Sequence, residues 1–168
     1  MWKQQDLTNT EAIAKLKDLA EDIRMCMFVT HTTNWDLHSR PMSTQQVDEQ
    51  GNIWFFSSKQ SNKNHEIQQG SHAHLYYMDK SANHYVSIKW SVTISQDKAM
   101  IDKLWNSFIA AWFPDGKDDH NLTLLCVKPH EGYYRDTQYG TMITLLMIAA
   151  SAITNKHMDG SLEGELSV

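Results

Sequence analysis

Five segments rich in β-branched and aromatic residues follow one another through the middle of the chain: Met25 to Thr32, Ser39 to Val47, Ile53 to Ser58, His74 to Asp79 and Tyr85 to Ser95. Such residues suit a pleated, half-buried surface, so each segment reads as a strand. Turn residues separate them at Asn34-Trp35-Asp36 and at Asp48-Glu49-Gln50-Gly51-Asn52, as they do where antiparallel hairpins close. This order lacks the regular strand and helix alternation of a parallel sheet. A mainly β, α+β protein built on an antiparallel barrel with flanking helices fits it better, because closure removes the exposed edges that many short strands would carry.

The helices are legible around that core. Thr8-Asn9-Thr10-Glu11 has capping-box spacing, and Ile13, Leu16, Leu19, Ala20 and Ile23 then recur on one helical face. Asn62 to Gln69, stopped by Gly70 and anchored by Ile67, reads as a short polar connecting helix. From Asp97 as N-cap, Ile101, Leu104, Trp105, Phe108 and Trp112 form the apolar stripe of one long helix that ends at Pro114-Asp115-Gly116. Leu122 to Lys128 and Gly132 to Thr137 read as two strands on either side of Pro129, and Thr141 to Thr154 as a last helix that packing must cover. Residues 1–155 then form one domain, and 156–168 a polar tail expected to be mobile unless a partner captures it.

Length and charge narrow the function. A chain of 168 residues supports one substantial core. Its formal net charge of −5 argues against nucleic acid or an anionic membrane as partner, since both need a basic field, so any anion site must be local. Cys26 and Cys126 are too few and too far apart for a disulfide framework or a cysteine-rich zinc site, which fits a reducing cytoplasm. No secretory signal is recognisable at the N-terminus, and the apolar run Met142 to Ile153 is too short to span a bilayer. His72 and His74 share a strand face among nine histidines, yet no acidic or cysteine pattern completes a tetrahedral set, so no metal is expected. His31, His38, His65 and His84 fall among turn residues and are expected to be solvated.

Three motifs occur in order at close spacing: Ser39-Arg40-Pro41-Met42-Ser43-Thr44-Gln45, Trp54-Phe55-Phe56-Ser57-Ser58 and Ser61-Asn62-Lys63. Leu104-Trp105-Asn106 running into Ala111-Trp112-Phe113-Pro114-Asp115-Gly116 adds a fourth. Together they resemble the FMN-binding split-barrel family related to pyridoxamine 5′-phosphate oxidase, in its general stress protein branch, over roughly Leu19 to Leu146. The resemblance implies a six-stranded antiparallel split β-barrel that assembles as a homodimer with FMN at the interface. It places Arg40 and Lys63 on the phosphate, Met42 and Ser43 beside the flavin, and Phe56 with Ser57 against it. Tyr85 stands where relatives often place a polar flavin contact, and Tyr134 near a position where a related Trp reaches across from the second subunit.

The residue chemistry suits those roles. Arg40 offers a planar fork for phosphate oxygens, and Lys63 a compact charge at a helix start whose free amides also favour anions. Ser57, Ser58 and Ser61 add hydroxyl donors at the same end.

Two departures from the family pattern bear on activity and on the pocket. Gly132-Tyr133-Tyr134-Arg135-Asp136-Thr137 continues into Gln138-Tyr139-Gly140 without the C-terminal Arg-x-His pattern of the oxidase, which argues against vitamin B6 as substrate. Trp90 stands where a small residue is usual, and its indole is expected either to repack the sheet or to intrude on the pocket. No nucleophile with its base and no paired carboxylates stand out, so no catalytic residue is assigned. The resemblance thus implies an FMN-dependent oxidoreductase of an unidentified small substrate, the alternative being a flavin-binding or flavin-sensing stress protein without turnover.

Overall fold

Strand propensity and turn chemistry set the middle of the chain as expected, and the ends add to it. The computed structural model describes residues 3–32, 34, 36–70, 72–137 and 161–167. In chain order the elements are β1 (Lys3–Gln4), β2 (Leu7–Thr8), α1 (Asn9–Ile23), β3 (Met25–His31), β4 (Leu37–Ser43), β5 (Gln46–Val47), β6 (Ile53–Ser58), α2 (Asn62–Gln69), β7 (His72–Asp79), β8 (His84–Ser95), α3 (Lys98–Leu104), α4 (Ser107–Ala110), a 3₁₀ turn at Gly116–Asp118, β9 (Leu122–Thr137) and β10 (Ser161–Ser167). The helix expected over Thr141 to Thr154 lies outside the described residues, as does Trp35. Among the described residues no helix is long and apolar enough to cross a membrane.

Ten strands, not six, share one sheet among the described residues, in the order β1-β10-β9-β8-β7-β3-β4, with β2 beside β10 and β5 and β6 branching from β9. All pairings are antiparallel except those of β1 and β2 with β10. Two causes raise the count. The terminal strands pair with one another, so that Ser161–Ser167, expected to be loose tail, runs antiparallel to β9. Gly164 is required there, because a Cβ would fall 1.9 Å from the Gln5 carbonyl oxygen.

The other cause is a bend that divides the strand expected over Ser39 to Val47. At Thr44 the amide leaves the β3 ladder for the Arg24 carbonyl at 2.8 Å, and the Gln45 amide turns to the Trp54 carbonyl at 2.9 Å. Thr44 is buried, and its hydroxyl meets Tyr77 Oη at 2.7 Å, which holds the bend. No ladder joins β4 to β6 among the described residues, so the sheet is not closed by hydrogen bonds.

Pro129 does the opposite of what its chemistry suggests. It cannot donate to a ladder, yet β9 runs unbroken past it, because the register against β8 slips by one residue there: Lys89 faces Glu131 and Trp90 faces Pro129. The resulting bulge takes His130 out of the pairing and absorbs the missing donor. Conversely, the long helix expected from Asp97 breaks in two. Asp97 does cap α3, accepting from the Ala99 amide at 2.9 Å. Asn106 then accepts from the amides of Phe108 and Ile109 at 3.0 and 3.1 Å and starts α4 afresh; a side chain that offers itself as a cap competes with helix continuation.

Two apolar clusters stand on the faces of the sheet. The larger joins Ala12, Leu16, Leu19 and Ala20 of α1 to Phe28, Ile53, Phe55, Leu75, Tyr77, Val86 and Trp90 from the strands. The smaller packs Phe56, Leu122 and Leu124 against Ile101, Leu104 and Ile109 of α3 and α4. Phe55 and Phe56 alternate across β6, so each enters a different cluster. Trp90 is 1% exposed, so its indole lies inside the larger one.

Candidate functional site

The basic residues singled out in the sequence meet where β4, β3 and α2 converge. Arg40 pairs in register with Phe28, and residues directly opposite on antiparallel strands share a face, so Arg40 lies on the inward side of β4 with His38 and Met42. Ser39, Pro41 and Ser43 alternate to the outer side. Helix α2 begins just past β6 with Ser61 as N-cap, its hydroxyl facing the Asn64 amide at 3.4 Å. That turn brings Lys63 and Glu66, three positions apart and so on one helical face, toward the end of β4.

Glu66 is the hub of the cluster. Its side chain is 9% exposed and makes three contacts. Arg40 Nη2 donates to Oε2 at 2.8 Å, His38 Nδ1 meets Oε1 at 2.6 Å, and the Thr30 hydroxyl donates to Oε2. Arg40 Nη1 donates to the same Thr30 hydroxyl. Burial works to raise the Glu66 carboxyl, but the hydrogen bonds from Thr30, His38 and Arg40, with the Arg40 charge, outweigh it and hold the group below the usual carboxylate range.

Lys63 has no carboxylate within salt-bridge reach among the described residues; its Nζ donates to Ser61 Oγ at 3.3 Å. Burial, then repulsion from Arg40, pushes its pKa down to about 8, with Glu66 pulling the other way. Among the described residues, two cations and one carboxylate then gather at the start of a helix, an arrangement that favours anions.

The serines assemble differently from their expected roles. Ser57 is buried, and its hydroxyl donates to Asn64 Oδ1 at 2.6 Å, with Ser61 Oγ at 3.3 Å. Ser58 is half-buried and receives the Ser61 amide on its carbonyl at 3.0 Å. Ser57 is thus occupied in holding α2 in place, while Ser61 stands next to Lys63.

The remaining expected residues do not join this cluster. The Phe56 side chain packs edge-on against Trp105 at 6.1 Å and beside Phe113 at 6.4 Å. Met42 packs on the larger core, and Ser43 faces outward in register with Met25. Tyr85 is half-buried on the outer side of β8, in register with Met78 and tilted against Tyr133 at 6.2 Å. Tyr134 is fully buried, and its hydroxyl donates to the Gln5 carbonyl at 2.8 Å, so in this chain it is a core residue that anchors the N-terminal segment.

The outer side of β3, β7 and β8 carries an unusual load of apolar surface. Met25, Met27, Tyr76 and Met78 are 51%, 41%, 38% and 69% exposed, and their registers place them next to one another. Tyr85, Tyr133 and Arg135 continue that face into a depression of about 310 Å³ also lined by Met78, Lys80 and His84.

Glu66, Thr30, His38 and Asn64 were not expected at the site. The spacing of Lys63, Glu66 and Ile67 on one face of α2 and of His38 and Arg40 on one face of β4 is the signal that carries them. His84 is likewise not solvated, since its Nε2 lies 2.8 Å from Asp136 Oδ1. Among the described residues no three His, Cys, Asp or Glu side chains gather as a metal set.

The family model described as pyridoxamine 5′-phosphate oxidase like matches residues 11–159. The chain belongs to the pyridoxamine 5′-phosphate oxidase-like family. Relatives of the general stress protein branch are among those it matches. It is 32% identical to general stress protein 26 of Bacillus subtilis over 82 residues, 47% of this chain and 58% of that protein, so the match spans little more than half of that relative. A protein of Jannaschia sp. CCS1 assigned to general stress protein 26 superposes with a TM-score of 0.80 at 25% identity, covering 92% of this chain and 97% of that one. The general stress FMN/FAD binding protein of Xanthomonas citri superposes with a TM-score of 0.61 at 33% identity, covering 70% of this chain and 82% of that one. Among the described residues, the cluster at β4 and α2 gathers Arg40, Lys63, Glu66 and His38 at the start of one helix.

Proposed function

We propose that this protein binds FMN, with the phosphate held by Lys63 and Arg40 and by the Ser61 hydroxyl at the start of α2. The observation that carries the reading is the half-buried Lys63 ammonium, which lies beside Arg40 and has no carboxylate of its own among the described residues. A phosphate would supply the missing counter-charge and accept the hydroxyl and amide hydrogen bonds of that turn. The flavin named for the Xanthomonas citri relative is a ligand of that chemistry.

The isoalloxazine ring would lie beyond the cluster, along the outer sheet face. That face, with Met25, Met27, Tyr76 and Met78 exposed together, is suited to a second copy of the chain. A homodimer that covers it would also bring Ser43 and Tyr85 to the interface, which gives them their expected place beside the flavin. In this reading β4 and β5 act as one bent strand, and their junction at Thr44 is the seam of a split barrel. Cys26 and Cys126, both buried free thiols, fit a cytoplasmic protein.

The activity proposed is that of an FMN-dependent oxidoreductase acting on a small substrate. Bound flavin supplies the redox chemistry, while the chain's own residues anchor and orient it. The test is the visible spectrum of the purified protein with and without added FMN. Flavin absorbance that co-purifies, or saturable FMN binding, is the expected result; neither at high micromolar FMN would refute the cofactor. Nicotinamide oxidation with quinone or flavin acceptors then separates an enzyme from a flavin-binding stress protein without turnover.

A further inference from the structure

Arg40 is not a free phosphate ligand in this chain. Its Nη2 is held by the Glu66 carboxylate at 2.8 Å and its Nη1 by Thr30, while the second carboxylate oxygen is taken by His38 at 2.6 Å. Glu66 and Lys63 belong to the same short helix, three positions apart, so any anion seated on Lys63 lies close to that carboxylate as well. The Glu66 side chain cannot swing into bulk water without breaking all three contacts from β3 and β4, and it is 9% exposed.

We propose that Glu66 sets the charge this site accepts, and so its preference among flavins. This rests on the reading of the site as a flavin site. With His38 counted as neutral, the site sets Arg40 and Lys63 against Glu66, a net single positive charge. A phosphate dianion is therefore bound more weakly than a bare Arg and Lys pair would bind it, and the advantage of FMN over neutral riboflavin is small. Glu66 acts in two ways that oppose one another. Pairing fixes the guanidinium, which helps, while its charge repels the phosphate through a partly dry medium, where Coulomb terms are several times larger than in water. The second effect is the larger, because Arg40 keeps Thr30 as a second anchor and three further N–H donors.

The experiment is a set of fluorescence titrations at pH 7 and fixed salt, with FMN and with riboflavin, on wild type, Glu66→Gln, Arg40→Gln and the double variant. Gln keeps the shape of the side chain and removes its charge. FMN affinity is expected to rise at least about tenfold in Glu66→Gln, which lies between the bulk-water and protein-surface scales of one unit-charge interaction, with riboflavin affinity unchanged. In the Arg40→Gln background the same substitution is expected to tighten FMN again, since repulsion acts without Arg40 whereas orientation of Arg40 cannot. If Glu66→Gln alone fails to fold, the double variant against Arg40→Gln carries the test, because removing both members of a buried pair leaves no orphaned charge.

Unchanged or weaker FMN binding on loss of the carboxylate overturns the proposal and leaves the flavin site standing. So does a gain that vanishes without Arg40. Wild-type protein that binds neither flavin overturns both.

Discussion

Ser57 Oγ donates to Asn64 Oδ1 at 2.6 Å, and Asn64 Nδ2 donates on to Thr123 Oγ1 at 3.0 Å, whose hydroxyl returns to the Ser57 carbonyl at 2.8 Å. This closed ring of buried donors and acceptors joins β6, α2 and β9, and it fixes where the first turn of α2 stands. Lys63, one position before Asn64, inherits its place from that ring.

Asn64→Ala is therefore expected to destabilise the fold by about 2 kcal/mol, the scale for leaving a buried donor without its acceptor, and to weaken FMN binding without touching the proposed phosphate ligands. Urea unfolding checks the first part: the midpoint should fall with an unchanged slope. A variant as stable as wild type would show that the ring does not hold α2.

Lys63 gives a pH dependence whose sign is set by burial. Its amine is pushed down to about 8 from an ordinary 10.5 by burial first and Arg40 second. A bound phosphate favours the charged amine, so FMN affinity is expected to be nearly level between about pH 7 and 8 and to fall as pH rises above that, while riboflavin affinity does not show this fall. In the ligand-free protein the unfolded chain holds more protons between those two values. Stability from this group therefore rises with pH across that window. Fluorescence titrations from pH 7 to above the amine's pKa, with riboflavin as the control for the ring, read the effect directly.

Trp90 is expected to act on stability rather than on the ligand. Its ring is 1% exposed, and its Nε1 has no hydrogen-bond partner among the described residues. Trp90→Ala should cost about 4 kcal/mol through the cavity it leaves. Trp90→Phe should cost less than about 2 kcal/mol, because it removes the unsatisfied donor along with the volume. Stronger flavin binding in Trp90→Ala with little loss of stability would mean that the indole intrudes on the site after all.

The outer sheet face makes the assembly testable. Met27→Lys with Met78→Glu puts charges into the centre of the exposed apolar cluster, where a covered interface would have to desolvate them. Sedimentation of the wild-type chain should give twice the 19.4 kDa mass of one chain, and that of the double variant a single one. Wild-type protein that sediments as a monomer at micromolar concentration would refute the dimer.

What could be read from residues alone was whatever depends on neighbours in the chain. β6 at Ile53–Ser58 and α2 at Asn62–Gln69 have the bounds expected of them, because β-branched and aromatic clustering, an N-cap serine and a terminal glycine act within a few residues. The basic pair was legible for the same reason, as short motifs flanking those elements. Tertiary structure decided what meets what. Arg40 and Glu66 are 26 positions apart, and their pairing exists only because β4 and α2 close on the same corner. Likewise Tyr134 is buried because the first residues of the chain return to cover it, so its hydroxyl meets Gln5, 129 positions away. Local preference places a cation in a strand or a helix, but whether it is free or already neutralised depends on long-range contacts that no local pattern encodes. On that difference turns how tightly the proposed site would hold a phosphate.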